Sequence, residues 1–215
     1  DKLGVYPKQA EGAYLFVPTG ASEKYSDIIP DIIYEKGKNV ELFTIKYQGK
    51  REKEYGIIKL RHSPYFNDFL EFEVELDSIP LDDNKGKDIT VNFKMYDGFN
   101  SNGTFWTDSN GLAMQKRVIN HQDTYPALET SNNERALNFY PVTSAMVMSD
   151  INSPTQVVLM NDRTQAGAVG VDSNSTMEFI HHRRLLQDDW KCLEEALNER
   201  DPTQYGIKVN AKYYM

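Results

Sequence analysis

The chain has 215 residues, and 40% of them are hydrophobic, which is enough to bury a sizeable core. Its formal net charge of −8 argues against nucleic acid as a partner, because proteins that bind nucleic acid carry a basic surface that replaces counterions. No run approaches the roughly 18 apolar residues of a membrane helix, and DKLGVYPKQA lacks the apolar centre of a signal peptide, so we expect no membrane partner.

Most of the chain predicts β-strands. The first β-like runs cover 40–47 and 56–61. Across 69–96, apolar and polar residues alternate on both sides of the polar run DDNKGKD, a pattern that predicts a β-hairpin. Further β-like runs cover 138–147, 156–160, 176–186 and 207–214.

Helical periodicity is scarce. The best candidate, 190–198, lacks a convincing apolar stripe and is equally compatible with a loop. No internal repeat, low-complexity tract or linker divides the chain. Many strands separated by polar and glycine-containing turns predict an all-β protein with one antiparallel β-sandwich region spanning residues 1–215.

The run His121-Gln122-Asp123 has the His-x-Asp spacing that some metal sites use. It lies in a polar stretch followed by Thr-Tyr-Pro, and no second pair of ligands is in view. A solvated loop is therefore the better interpretation, and we predict no metal ion here.

Asp82, Asn84, Gly86 and Asp88 follow the spacing of the first ligands in a calcium loop. Gly86, however, occupies the third ligand position without a side-chain oxygen, and Phe93 stands where the closing glutamate should be. We therefore predict a turn without calcium.

The segment 181–189, HHRRLLQDD, contains two histidines, two arginines and two carboxylates. If it continues the preceding strand, successive side chains point to opposite faces. His181 and Arg183 then face one side while His182 and Arg184 face the other, so the two histidines cannot bind one metal ion together.

Asp188 and Asp189 end this segment side by side. A retaining glycosidase instead needs two carboxyl groups about 5 to 5.5 Å apart on either side of the scissile bond. We therefore expect these aspartates to shape a turn and predict no catalytic residue in the segment.

Two motifs bear on the cellular compartment. Asn102-Gly103-Thr104 and Asn174-Ser175-Thr176 match the acceptor pattern for N-glycosylation, whose use would require passage through the secretory pathway. Cys192 is the only cysteine, so no internal disulfide informs on the compartment.

Five segments of the chain stand out, in this order: EGAYLFVP (11–18), NGTFWTDSNGLAMQKR (102–117), LNFYPVTSAM (137–146), VVLMNDRTQAG (157–167) and HHRRLLQDDWKCLEEALNE (181–199). Together they resemble the C-terminal β region of glycoside hydrolase family 38, the α-mannosidases, and most closely its lysosomal branch. The chain begins with Asp1 rather than methionine, as expected for part of a longer protein.

The resemblance implies both a fold and an activity. The fold is a mutarotase-like β-supersandwich that packs on the catalytic domain of the same enzyme and helps to close the mannose cleft. The activity is that of a retaining hydrolase, lysosomal or extracellular, which uses zinc and an aspartate nucleophile to remove terminal α-mannose from N-glycan oligosaccharides.

In that family the chemistry belongs to an N-terminal domain. Its zinc motif, His-x-Asp-x-Gly-Trp, does not occur in these 215 residues, and the run at His121 and Asp123 lacks the Gly-Trp continuation. The resemblance therefore implies that this chain holds no cofactor of its own and is inactive alone. Its expected partners are the catalytic domain and mannose-containing glycans.

The resemblance makes the segment 181–189, with Arg183, Arg184, Asp188 and Asp189, the best candidate for the rim of the mannose cleft. Arg183 or Arg184 would offer fixed donors to sugar hydroxyls or to a neighbouring domain. Opposite strand faces allow at most one of them to approach the cleft directly. Asp188 and Asp189 would shape the following loop or pair with these arginines. The alternative is a salt bridge that serves packing alone.

This chain departs from the family in the loop after the two aspartates. The family has an Asp-x-Arg-Gly run there, whereas this chain has Trp190, Lys191 and Cys192. Glycine supplies a positive φ that cysteine resists, so we do not transfer the family's loop conformation.

Two other functions stay open at this point. A stand-alone carbohydrate-binding module would use Trp106 or Trp190 as a stacking platform for sugar rings. A purely structural part of an assembly would expose an apolar surface that a missing partner covers.

Overall fold

A computed structural model describes residues 2–8, 12–18, 21–49, 55–122, 135–169, 173–192, 194–202 and 205–215. These residues form two antiparallel sheets that pack as a sandwich, which confirms the all-β prediction. The smaller sheet has the order β10 (Tyr140–Val142), β13 (Gln165–Val169), β14 (Thr176–Arg184), β7 (Gly86–Lys94), β1 (Lys2–Lys8) and β2 (Glu23–Lys24). The larger sheet has the order β3 (Asp31–Lys36), β4 (Glu41–Gln48), β5 (Tyr55–Ser63), β6 (Phe66–Leu76), β15 (Val209–Tyr214), β12 (Gln156–Asn161), β11 (Ala145–Ser149), β8 (Thr104–Ser109) and β9 (Ala113–Val118).

The core lies between the two sheets and is rich in aromatic rings. Phe93 of β7 is at its centre, with ring centroids 5.2 Å from Phe72 and from Tyr213 and 6.3 Å from Phe179. All four side chains are almost completely buried. Burial of one such ring stabilises the fold by about 1.5 to 3 kcal/mol, and the edge-to-face geometry adds to this.

The hairpin predicted over 69–96 is wrong, because β6 and β7 belong to different sheets. The segment 77–85 crosses from one sheet to the other, so Phe72 and Phe93 meet across the core instead of along a shared edge. Alternation specifies which side of each strand is buried, and both arrangements bury the same side. Lys87 Nζ secures the crossing by donating to the Pro80 carbonyl (2.6 Å) and to Asp83 (2.8 Å).

The other predicted elements differ from the structure mainly in their boundaries. The run 138–147 divides into β10 and β11, which lie in different sheets and follow a short 3₁₀ turn, Ala136–Asn138. The described residues of 190–198 form bends, which confirms the loop interpretation. Within it Trp190, Cys192 and Glu194 have positive φ angles of 58°, 74° and 60°.

Strand β14 carries a bulge that the sequence pattern did not predict. Its register against β7 shifts between Ile180 and His182, so His181 is an extra residue. Before the bulge Phe179 is paired with Val91 on the core side. After the bulge Arg183 is paired with Asp88 and therefore lies on the outer side, which corrects the simple alternation over 181–184.

Candidate functional site

A cleft of about 800 Å³ opens at the β10 edge of the smaller sheet. Its walls come from segments that are distant in the sequence and that strand pairing brings together. The lining residues fall in 14–16, 139–141, 163–166 and 180–183, with Ala136, Leu197 and Glu199.

Arg183 lines this cleft and holds the segment 12–15 in place. Its Nε donates to Asp88 Oδ1 (2.7 Å), while Nη1 donates to the Ala13 carbonyl (3.1 Å) and Nη2 to the Leu15 carbonyl (2.7 Å). A planar guanidinium suits this task because its donors have fixed directions. Arg183, one of the predicted rim residues, thus holds in place the segment that forms one wall of the cleft.

Asp189 holds the same segment from the other side. Its Oδ2 accepts the backbone N–H groups of Tyr14 (2.7 Å) and Leu15 (2.9 Å). A side chain at Gly12 would overlap Asp189, so the approach is too close for any other residue. As a result the Tyr14 side chain stands 63% exposed at the cleft.

Arg184 turns away from the cleft and serves packing. It is buried, its Nε donates to Asn198 Oδ1 (2.8 Å), and its Nη1 donates to the Ile79 carbonyl (2.6 Å). Burial, and secondarily the charge of Arg200, lowers its pKa. Arg183 and Arg184 therefore contact different parts of the chain, and of the two only Arg183 lines the cleft.

Asp188 lies beside this arrangement without joining it. Its side chain is partly buried, and its Oδ1 has no hydrogen-bond partner among the described residues. Asp188 does not line the cleft, so of the two neighbouring aspartates only Asp189 helps to shape it.

The floor of the cleft includes two buried polar side chains, His181 and Gln165. His181 Nδ1 and Gln165 Nε2 both lie 2.9 Å from the Tyr213 hydroxyl. Burial lowers the pKa of His181 to about 3 and raises that of Tyr213, so both are neutral near pH 7. Gln165 Oε1 is buried and has no hydrogen-bond partner among the described residues.

His182 also lines the cleft, beside His181. Its Nε2 donates to the Ile207 carbonyl (3.2 Å), and burial lowers its pKa. Across the described ranges, His, Cys, Asp and Glu side chains nowhere form a group of three suited to a metal ion. His121 is exposed and its partner in the His-x-Asp run, Asp123, lies outside the described residues.

Aromatic rings supply the apolar part of the cleft. Phe16 and Phe139 meet edge to face with centroids 4.9 Å apart, and Tyr140 and Tyr14 lie on the same walls. Aromatic faces combined with a few polar groups can bind a hydroxyl-rich ligand such as a sugar ring, whose C–H groups pack on the aromatic faces. Sequence reasoning missed Tyr14, although the segment EGAYLFVP that contains it was one of the five that stood out.

The two predicted glycosylation sites lie at the opposite end of β14 from Arg183. Asn102 and Asn174 are both exposed. Their turns touch, because the Ser101 N–H donates to the Asn174 carbonyl (3.0 Å). Glycans at these positions would not obstruct the cleft.

Comparison with known proteins identifies the family. The model of the glycosyl hydrolases family 38 C-terminal domain matches residues 2–191. The chain belongs to glycosyl hydrolase family 38. An α-mannosidase of Canavalia ensiformis is 30% identical over 96% of this chain, and the lysosomal α-mannosidase of Mus musculus is 28% identical over 95% of it. The lysosomal α-mannosidase of Bos taurus is 35% identical over 60% of this chain.

This family 38 chain spans about a fifth of the length of the curated relatives that match nearly all of it, 20% of the Canavalia protein and 19% of the mouse protein. All the strands that line the cleft fall within the matched residues 2–191. Among the described residues, no helix is both long and apolar enough to cross a bilayer.

Proposed function

We propose that this chain is a non-catalytic β-sandwich segment of a retaining, zinc-dependent α-mannosidase that removes terminal α-mannose from N-glycan oligosaccharides. In this proposal it packs on the catalytic domain of the same polypeptide and borders the mannose cleft. The enzyme acts in the secretory pathway, in a lysosomal or extracellular compartment, as the names of the mammalian relatives and the two exposed sequons suggest.

One observation carries the proposal: four of the five segments that resemble the family meet at one cleft. Residues from 11–18, 137–146, 157–167 and 181–199 all contribute to its walls. They are far apart in the sequence, and the strand order β10-β13-β14 brings them together with the contacts that Arg183 and Asp189 make to the segment 12–15.

The cleft is suited to orienting a sugar rather than to cleaving one. Tyr14 offers an exposed ring and a hydroxyl group, and Arg163, which also lines the cleft and is 49% exposed at its side chain, offers donors. Sugar hydroxyls need such donors because each buried hydroxyl without a partner costs free energy. Binding groups held in place by the fold contribute to catalysis through orientation.

Zinc and the aspartate nucleophile belong, in this proposal, to the N-terminal catalytic domain. The described residues of this chain do not fit a zinc ion, because no three potential ligands come together. The contribution of this chain is therefore to binding and orientation.

The test replaces Tyr14 by alanine in the complete mannosidase. We expect kcat/KM for an oligomannose substrate to fall by about tenfold or more, because the loss of an oriented contact weakens transition-state binding. The melting temperature should be unchanged, since the side chain is mostly exposed. Tyr65→Ala, at a similarly exposed tyrosine away from the cleft, is the matched control and should change neither quantity. Equal activity of both variants would contradict the proposal.

A second candidate is a stand-alone carbohydrate-binding module. It is favoured by Trp190, whose side chain is 87% exposed next to Asp189. Titration of the isolated chain with mannose oligosaccharides separates the two functions. A module binds in isolation and loses affinity in Trp190→Ala, whereas a segment that only completes a cleft shows little affinity.

A further inference from the structure

The larger sheet extends beyond the smaller sheet that covers it. Strand β1 lies over β5, where Leu3 closely approaches Gly56, and Tyr25, directly after β2, lies over Tyr47 of β4 with ring centroids 6.5 Å apart. In the described part of the chain the smaller sheet stops there, because β2 pairs only with β1. Strand β3 continues the larger sheet by one more strand.

Apolar side chains that pair across neighbouring strands form rows that continue from the core towards β3. The described strands of the smaller sheet do not cover these rows at β3. One row runs from Val74 through Ile58 and Ile45 to Ile32. Exposure rises along it from 0% at Val74 and 1% at Ile58 to 66% at Ile32. A second row follows the same course from buried to exposed: Phe72, Leu60, Phe43 and Tyr34. The inner side of β3 is thus chemically a core surface, and none of the residues that the structure describes forms a second layer over it.

More apolar side chains surround this surface. Ile29 is 88% exposed and Ile28 is 58% exposed just before β3. Both line a groove of about 480 Å³ that includes Tyr47 and also reaches the outer side of the sheet, where Asp31, Lys46 and Ile57 form one cross-strand row. Monomeric proteins seldom leave so continuous an apolar surface bare. Strand β3 is also an edge strand, and in the described residues it pairs only with β4, so it offers a template for β structure.

We propose that β-strands from another part of the same mannosidase polypeptide cover the inner side of β3 and β4 by extending the smaller sheet past β2. This inference rests on the proposed function and adds to it the surface through which the segment joins the rest of the enzyme. The occupant is part of the same polypeptide because relatives are about five times as long as this chain, which spans 20% of the Canavalia protein. We expect this occupant to be β structure because the two rows belong to a core between packed sheets. A second sheet at the usual spacing of packed sheets would cover both rows.

Hydroxyl-radical footprinting tests this proposal on two proteins, the 215-residue chain and the mannosidase polypeptide that contains it. In the monomeric chain Tyr34 should be oxidised readily. In the longer polypeptide its oxidation should be at least about tenfold slower, because burial removes contact with water. Tyr65, 67% exposed in the turn between β5 and β6, is the matched control and should be oxidised equally in both proteins.

A pair of variants adds a readout of stability. Ile32→Ser should lower the melting temperature of the longer polypeptide by about 2 °C or more, because it loses a buried side chain there. The same change should leave the melting temperature of the 215-residue chain unaltered. Leu112→Ser, at a side chain 89% exposed between β8 and β9 on the other edge of the sheet, should have no effect in either protein.

Three results would overturn the proposal. Slow oxidation of Tyr34 in the monomeric chain would show that this chain covers the surface itself. Slow oxidation in a dimer of the chain would make a second copy the occupant. Equal oxidation in the chain and the longer polypeptide would leave the surface bare. None of these results bears on α-mannoside hydrolysis, whose failure in the longer polypeptide would instead contradict the proposed function.

Discussion

Arg183 joins three parts of the chain through a single guanidinium group. It pairs with Asp88, whose side chain is fully buried, and it holds the carbonyl groups of the segment 12–15. A buried carboxylate depends on its cation, because removal of one member of a buried pair leaves a charge that water no longer solvates. The position of the Tyr14 wall and the stability of the sandwich therefore depend on the same residue.

Arg183→Ala should lower the free energy of unfolding by about 3 to 5 kcal/mol, the usual cost of breaking a buried ion pair. Urea denaturation of the 215-residue chain measures this. Arg163→Ala is the control, since Arg163 is half-exposed and pairs with its neighbour Asp162, and such a pair contributes about 0 to 1 kcal/mol. Equal losses in both variants would show that the Arg183 clamp has no special role.

His181 should make the protein less stable in acid. Its pKa is about 3 in the fold, chiefly through burial and also through His182 and Arg163, against an ordinary value of 6.5 for histidine. Between these pH values the unfolded chain binds a proton that the folded protein does not, so the free energy of unfolding decreases on acidification from pH 6.5. The contribution reaches about 1.4 kcal/mol per pH unit.

Unfolding measured from pH 7 to pH 4 in His181→Gln checks this expectation. The variant should show a shallower loss of stability with acid than the unmodified chain, whatever its stability at pH 7. Identical slopes would mean that His181 is protonated in the fold or does not titrate in this range.

Residue contacts of this kind could not be predicted from the sequence. Asp189 and Tyr14 are 175 positions apart, and nothing local marks one as the partner of the other. The sequence did indicate that Arg183 and Arg184 would differ in their surroundings, because strand alternation is a local property. It also marked the segment 181–189 as important, but not as a clamp.

Among the elements, strands were predictable and their partners were not. Alternation indicated β4, β5, β12 and β15 close to their observed bounds, because it depends only on which side of a strand is buried. The partner of β6 depends instead on how the chain crosses at 77–85, and the bulge at His181 on packing against β7. Strands β1 and β13 were not recognised, because both contain glycine and β1 also contains proline, residues that weaken the β signal of a sequence.

Strand β13 gives a test of packing between the sheets. A Cβ at Gly167 would lie 2.9 Å from Val142 Cγ2 in the same sheet and 3.3 Å from Met146 Sδ in the facing sheet, so Gly167→Ala should destabilise the fold by about 1 to 3 kcal/mol. Thermal unfolding measures the loss. Ala166→Ser adds one atom at the next position, which lines the cleft, and should change stability by less than about 0.5 kcal/mol. Equal stability of the two variants would contradict the close approach at Gly167.

At the scale of the whole molecule, the fold class and the family followed from the sequence, since both rest on patterns spread over most of the chain. The cleft and the bare inner side of β3 did not, because each arises from the order of strands in a sheet. We propose that these two surfaces serve a larger enzyme in different ways, the cleft by bordering the substrate and the inner side of β3 by receiving another part of the polypeptide.

Hydrolysis of an aryl α-mannoside in the presence of zinc tests the central claim most directly. Three preparations are compared: the 215-residue chain, the remainder of its mannosidase polypeptide, and the two combined. We expect no turnover by the chain alone, and the combination should exceed the remainder by about tenfold or more, because the cleft is complete only with both. Turnover by the chain alone, or a remainder that is equally active without it, would contradict the account.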